Sequence, residues 1–394
     1  MKIVPSKRIE SIGSYAFADV DNEVARLKKQ GITPIDFGIG DPKVPTPAII
    51  RNYCKRAIDK RKEDGYPSYI GDIEYRETIA GWSKDRFNVV LDPETEITSN
   101  IGAKEAVFHF HEGFVNPGDV VIIPNPGYPP YERGTLFAEG RPYFYALTRE
   151  NDFLPDLEKI PSEIRKKARL MWINYPNNPT GAVISKEKLK EIVDFGKDND
   201  IIIGSDECYT ELYYDEKPMS ILEIAKEGVF AVQSLSKRSA MTTYRVGWLA
   251  GDSRVIDIFK KVKTNVDSGT PTFIQDAASA ALLDEKHVVE FRNSYRKKRD
   301  IMVNALTSIG LDDCTPKAGI YIWQKTPMSS LDFAKRLLEK EIAIVSTPGS
   351  WISNKVDGVN PGEGYVRLAL VPTISECKKA AERLKTLTCM TKSR

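Results

Sequence analysis

Ser234-Leu235-Ser236-Lys237-Arg238-Ser239-Ala240-Met241-Thr242-Thr243-Tyr244-Arg245-Val246-Gly247-Trp248 follows an apolar run, Val229-Phe230-Ala231-Val232, that reads as a buried strand. Two hydroxyls stand just before a lysine, and an arginine lies eight residues beyond it. One reading is a lysine able to form an imine, with phosphate ligands on both sides. The other is a polar loop leaving a strand. The stretch alone leaves both open.

Working outward, short apolar runs alternate with amphipathic helices. Val120-Val121-Ile122-Ile123 leads into the loop Pro124-Asn125-Pro126-Gly127-Tyr128, Leu170-Met171-Trp172-Ile173-Asn174 into Tyr175-Pro176-Asn177-Asn178-Pro179-Thr180-Gly181, and Ile201-Ile202-Ile203 into Ser205-Asp206-Glu207-Cys208-Tyr209. Leu189, Ile192, Val193 and Gly196 mark one face of the helix between the last two runs. The alternation predicts an α/β fold, a mostly parallel central sheet covered by helices. Ligands of such sheets gather at the carboxyl ends of strands. Asn178, Asp206 and Lys237 each lie just past such an end, so they can meet in one crevice. Ile97-Thr98-Ser99-Asn100-Ile101 runs into Gly102-Ala103-Lys104, a glycine turn and helix start that presents free N–H groups to an anion. Ile35-Asp36-Phe37-Gly38-Ile39-Gly40-Asp41-Pro42 is a short strand entering a turn where backbone can approach a ligand closely.

After about residue 285 the texture changes. A long charged helix from His287 to about Leu306 precedes Ile320-Tyr321-Ile322-Trp323 and Tyr365-Val366-Arg367-Leu368-Ala369. The expected division is an N-terminal arm with part of a small domain (1–48), a large cofactor-binding domain (49–285) and a smaller α+β C-terminal domain (286–394).

Composition narrows the function classes. A chain of 394 residues with 41% hydrophobic and 28% charged residues is an ordinary globular protein, and a net charge of +2 implies no nucleic-acid role. No run of 18 apolar residues and no secretory signal pattern occurs, so no membrane association and a cytoplasmic location are expected. Five scattered cysteines without a CxxC pair fit free thiols. His109 and His111, two apart on a predicted helix, point to different faces, and no metal site is expected.

Together the strand-end residues match what pyridoxal phosphate chemistry demands. It needs a lysine for the aldehyde, a carboxylate for the pyridine nitrogen, donors for the phenolic oxygen, an anion cradle, and an arginine for an amino acid carboxylate. Asn177-Asn178-Pro179-Thr180-Gly181, Asp206-x-x-Tyr209, Ser234-x-Ser236-Lys237 with Arg245, and Val366-Arg367-Leu368 stand in the order and approximate spacing of one family. From about Ile35 to Leu370 the chain resembles the class I aminotransferases, fold-type I pyridoxal phosphate enzymes. The resemblance implies that Lys237 holds the cofactor aldehyde and later shuttles a proton. It implies Asp206 at the pyridine nitrogen, and Asn178 and Tyr209 at the phenolic oxygen. Ser234, Ser236, Arg245 and the Gly102-Ala103-Lys104 turn would hold the phosphate, and Tyr128 would stack on the ring. Arg367 and Gly40, with Asn178, would bind the substrate α-carboxylate. Tyr66 would reach the phosphate in a neighbouring subunit, which makes the expected protein a homodimer with shared sites.

The substrate pair implied is an amino acid and a 2-oxo acid. Dicarboxylate-specific members of the family place an arginine shortly before the Pro271 region. Here Lys261-Val262-Lys263-Thr264-Asn265-Val266 offers only lysines, looser point charges, which counts against an aspartate specialist. The arm Gly13-Ser14-Tyr15-Ala16-Phe17 could cover a longer substrate, with Tyr15 among the binding groups. The wording Leu235-Ser236-Lys237-Arg238-Ser239 and Pro126-Gly127-Tyr128-Pro129-Pro130-Tyr131 resembles aminotransferases acting on diaminopimelate or its N-succinyl precursor in lysine biosynthesis. LL-diaminopimelate with 2-oxoglutarate is therefore the expected pair. The alternatives are an aspartate, aromatic or N-succinyl-diaminopimelate aminotransferase, or a β-lyase on the same fold.

Overall fold

The computed structural model describes residues 1–10, 12 and 18–387. Seven strands form the central sheet: β1 (Ile97–Asn100), β2 (Val120–Asn125), β3 (Arg141–Ala146), β4 (Ala168–Asn174), β5 (Ile202–Asp206), β6 (Val229–Ser234) and β7 (Gly247–Gly251). Their order across the sheet is β1-β7-β6-β5-β4-β2-β3. β6 through β3 run parallel, while β7 is antiparallel to both of its neighbours. The expected α/β sheet is thus present, mostly parallel, with one reversed strand near an edge.

Both faces of this sheet are buried, and alternation along each strand divides the side chains between two cores. On β6, Val229 and Ala231 join a core with Ile79, Met171 and Ile203, while Phe230 and Val232 join a core with Phe110, Trp172 and Phe259. Helix Lys186–Asp198 covers one face through Leu189, Ile192, Val193 and Gly196, the four positions its periodicity marks. Helix Ala103–Phe114 covers the other through Ala106, Val107 and Phe110.

A third core gathers Ile35 and Phe37, Tyr295, Met302 and Leu306 on the long helix Lys286–Ser308, Ile320 and Ile322, Val366, Leu368 and Leu370, and Cys377, Ala380 and Leu384. Tyr209, Leu212 and Tyr214, beyond the end of β5, also enter it. Its antiparallel sheet is built of β8 (Tyr321–Lys325), β9 (Thr347–Pro348) and β10 (Tyr365–Ala369), in the order β9-β10-β8. Ile35–Asp36 pairs in parallel with Ile344–Val345, tying the N-terminal segment to this unit. Among the described residues no helix is long and apolar enough to cross a membrane.

Candidate active site

Register brings the motif residues together. Asn174 at the end of β4 lies beside Asp206 at the end of β5, and Asp206 beside Val232 on β6. The three carboxyl ends open into a cleft of about 1220 Å³ whose far wall is built from the Gly40 turn, Tyr321 and Arg367.

Lys237 sits on a single helical turn, Leu235–Arg238, that starts where β6 stops. Ser234 caps that turn, accepting from the Ser236 N–H at 3.2 Å, and its hydroxyl donates to Ser236 Oγ at 2.9 Å. The turn directs Lys237 Nζ across the cleft, where it donates to the Gly40 carbonyl. The segment is thus neither a plain loop nor a continuation of the strand: Ser234 caps a single helical turn.

Asp206 is buried, and burial raises its pKa. Three hydrogen bonds oppose that shift: Tyr131 donates to Oδ2 at 2.7 Å, the Cys208 thiol donates to the same carboxylate, and the Cys208 N–H donates to Oδ1 at 3.2 Å. No cationic side chain among the described residues pairs with it. A buried carboxylate on a cleft wall without a cation fits a ligand that supplies one, such as a protonated pyridine nitrogen.

Asn178 and Arg367 meet on the opposite side. Arg367 Nη1 donates to Asn178 Oδ1 at 3.1 Å and Nη2 to the Gly38 carbonyl at 3.0 Å, while the guanidinium lies 4.7 Å over the Tyr321 ring. Arg367 Nε is buried without a partner, and no carboxylate of the described chain pairs with this arginine. It therefore stands ready for an external carboxylate. Because Asn178 Oδ1 faces Arg367, its amide NH₂ remains available to donate. The Tyr209 and Tyr321 phenol oxygens lie 3.0 Å apart, and burial holds the Tyr209 phenol well above its usual range.

At the other end of the cleft, Gly102 caps helix Ala103–Phe114 with φ +73°. The left-handed backbone there favours glycine, and a Cβ would sit 2.4 Å from Arg245 Nη2 and displace the end of that side chain. Ala103, Lys104, Ser234, Ser236 and Arg245 line this end, an anion cradle of N–H groups, hydroxyls and cations. Tyr128 lines the wall between the two ends. Every requirement of pyridoxal phosphate thus has a group facing one cavity, and the residues fit that cofactor.

Two candidates stand elsewhere. Tyr66 is 87% exposed beside a separate depression with Arg61 and Gly71. Tyr15 and its arm lie outside the described residues, although Ile12 lines the cleft. Lys263 departs from its expected character: its ammonium is fully buried between Asp267 at 2.9 Å and Glu105 at 3.4 Å. It is a structural cation, not a free point charge. His109 pairs with Glu112, whereas His111 is buried and accepts from Trp172 Nε1 at 3.1 Å. The two do face apart.

Sequence reasoning missed Tyr131, Tyr321, Thr242 and the Trp351–Asn354 wall, all of which border the cleft or hold a residue that does.

A family model described as "Aminotransferase class I and II" matches residues 32–384. The chain is 43% identical to the LL-diaminopimelate aminotransferase of Aquifex aeolicus (strain VF5) over 388 residues, covering 97% of this chain and 98% of that protein. It is 42% identical to the LL-diaminopimelate aminotransferase of Halothermothrix orenii, covering 96% and 97%. Among solved structures, substrate-bound BacF of Bacillus subtilis superposes with a TM-score of 0.90 at 31% identity, covering 98% of each chain. A single mutant of Thermus thermophilus aspartate aminotransferase superposes with a TM-score of 0.89 at 28% identity, covering 98% of this chain and 100% of its own. The chain belongs to the class I and II aminotransferases, and it is a pyridoxal-phosphate-dependent enzyme of that family.

Proposed function

We propose that this aminotransferase takes the α-amino group of LL-diaminopimelate and delivers it to 2-oxoglutarate, a reaction of lysine biosynthesis. The likeness to LL-diaminopimelate aminotransferases, which spans nearly the whole chain, carries this reading. The burial of Lys263 supports it, because this lysine is spent on Asp267 and Glu105 and is not available to the second carboxylate of aspartate.

Bound pyridoxal phosphate supplies an electron sink for the substrate α-carbon. The residues of the chain do the rest. Asp206 keeps a proton on the pyridine nitrogen, while the Asn178 amide and the Tyr209 hydroxyl donate to the phenolic oxygen. Gly102, Ala103, Lys104, Ser234, Ser236 and Arg245 hold the phosphate, and Tyr128 covers the ring. Arg367, with Gly40 and Asn178, fixes the α-carboxylate, which aligns the α-hydrogen with Lys237. Lys237 Nζ anchors the cofactor at rest and, once displaced, removes the α-proton. Tyr66 belongs to the phosphate site of a second subunit, so the working unit is a cytoplasmic homodimer. The division of the chain at 48 and 285 has the composition of the third core in its favour, with Tyr209 to Tyr214 at the seam.

A donor panel tests the reading: LL-diaminopimelate, N-succinyl-diaminopimelate, aspartate, alanine and phenylalanine, each with 2-oxoglutarate. The expected result is the highest kcat/KM for LL-diaminopimelate. A constant for aspartate or phenylalanine more than about a hundredfold higher, on the order of 2.7 kcal/mol of transition-state preference, overturns the substrate and leaves the family standing. Release of pyruvate and ammonia would mark a β-lyase instead.

A further inference from the structure

Tyr131 is the side chain most directly engaged with Asp206. Its hydroxyl donates to Asp206 Oδ2 at 2.7 Å, and the residue is 1% exposed. It lies on helix Pro129–Phe137, which begins immediately after Tyr128. Its ring stacks on Trp172, with centroids 5.2 Å apart and planes 23° from parallel, and meets Tyr128 edge-on at 5.9 Å. Trp172 is itself fixed, because its indole N–H donates to His111 Nε2. His111 is neutral at working pH, since burial pushes its pKa down to about 4. Its Nδ1–H then donates to the Phe108 carbonyl at 3.1 Å. Gly134, one turn from Tyr131, leaves the space for that ring: a Cβ there would sit 2.3 Å from His111 Nδ1. The phenol therefore has one orientation and one acceptor.

We propose that Tyr131 is a positioning residue that keeps the buried Asp206 carboxylate ionised and aimed at the cofactor nitrogen. Two opposed effects act on this carboxylate. Burial favours its neutral form, in which it offers no charge to a protonated pyridine. A donor that cannot lose its own proton favours the charged form, and the Tyr131 phenol, pushed well above its usual range by burial and by Asp206, is such a donor. A second acid would share its proton with the carboxylate; a phenol at this site does not. Cys208 faces the same carboxylate: its N–H donates to Oδ1 at 3.2 Å, and its thiol, held protonated by burial and by Asp206, donates as well, but Tyr131 at 2.7 Å makes the larger contribution to keeping Asp206 charged.

The inference rests on the assignment of Asp206 to the cofactor, and the test separates the two. Dissociation constants for pyridoxal phosphate are measured on cofactor-free protein between pH 5 and 9 for the native chain, Asp206→Asn and Tyr131→Phe. Tyr131→Phe removes one hydroxyl and keeps the stacked ring. The expected result is affinity weakened about tenfold or more, with its acid-side decline displaced to higher pH, because protonation of Asp206 competes earlier. Replacing Tyr131 with 3-fluorotyrosine, a more acidic phenol that donates more strongly, is expected to displace that decline the other way. This second variant decides the matter if Tyr131→Phe does not fold. An Asp206→Asn protein that binds the cofactor like the native chain overturns the Asp206 assignment. A weakened Asp206→Asn protein beside variants at 131 with native affinity and native pH dependence overturns the Tyr131 inference alone.

Discussion

Arg367 shows how much a single side chain can be asked to do. Its fork is held by Asn178 and the Gly38 carbonyl, its plane lies over Tyr321, and Nε is left without a partner. A structural arginine would have spent its charge on an internal carboxylate, which this one has not. Arg367→Lys keeps the charge but loses the planar fork. The KM for the amino donor is expected to rise about tenfold or more while kcat falls less, because the loss is mainly of binding shared by ground and transition states. Steady-state kinetics over a range of donor concentrations checks this. Lys237 predicts the opposite division. Its contact is a carbonyl across the cleft, and its proposed work is on the proton. Lys237→Ala is expected to lower kcat by about a thousandfold or more and to leave no cofactor fixed at residue 237 by borohydride, as peptide mapping would show.

At the scale of elements, legibility followed contiguity. Asn178, Asp206 and Lys237 each stand within a few residues of an apolar run, so strand, strand end and functional group appear in one short reading. Tyr321 could not be found that way. It reaches the cleft from β8 of the third core, and only the fold places its phenol 3.0 Å from that of Tyr209. The antiparallel strand β7 was equally silent, since a short run with glycine at both ends gives little strand signal. Pro142 hides β3 in the same manner, where it is tolerated because this strand is an edge. Lys263 shows the limit of reading charge by residue type. The stretch looks like two available lysines, but Lys263 faces inward on helix Ser253–Val266, between Glu105 and Asp267. Burial already raises the Glu105 pKa, and Lys263 opposes that rise. Lys263→Met leaves two carboxylates without their cation and is expected to cost about 3–5 kcal/mol of stability in urea unfolding. Adding Glu105→Gln and Asp267→Asn should recover much of that loss. If Lys263→Met alone unfolds like the native chain, the ion triad is not structural.

The whole molecule raises the question of Tyr66. A ring that is 87% exposed contributes almost nothing to the stability of its own chain, and it does not border the cleft of that chain. It has exposed apolar company: Ile49, Tyr53 and Ile58 on helix Ala48–Lys60, and Tyr69 in the same loop. Such residues outside any core suit a surface covered by another subunit. In the proposed dimer Tyr66 completes the phosphate site of its neighbour, so Tyr66→Ala should fold natively yet bind pyridoxal phosphate about tenfold more weakly, by loss of a hydrogen bond to a charged group. Mixing gives a sharper outcome. Lys237→Ala and Tyr66→Ala place their defects in the same site of a hybrid dimer, which leaves the other site intact. Random exchange of equal amounts makes about half of the dimers hybrid, so about a quarter of all sites are native. At cofactor concentrations too low to load Tyr66→Ala dimers, activity should climb from near zero toward that quarter as exchange proceeds. Were each site built from one chain alone, every site in a hybrid would carry a defect, and exchange confirmed by mass spectrometry would restore nothing.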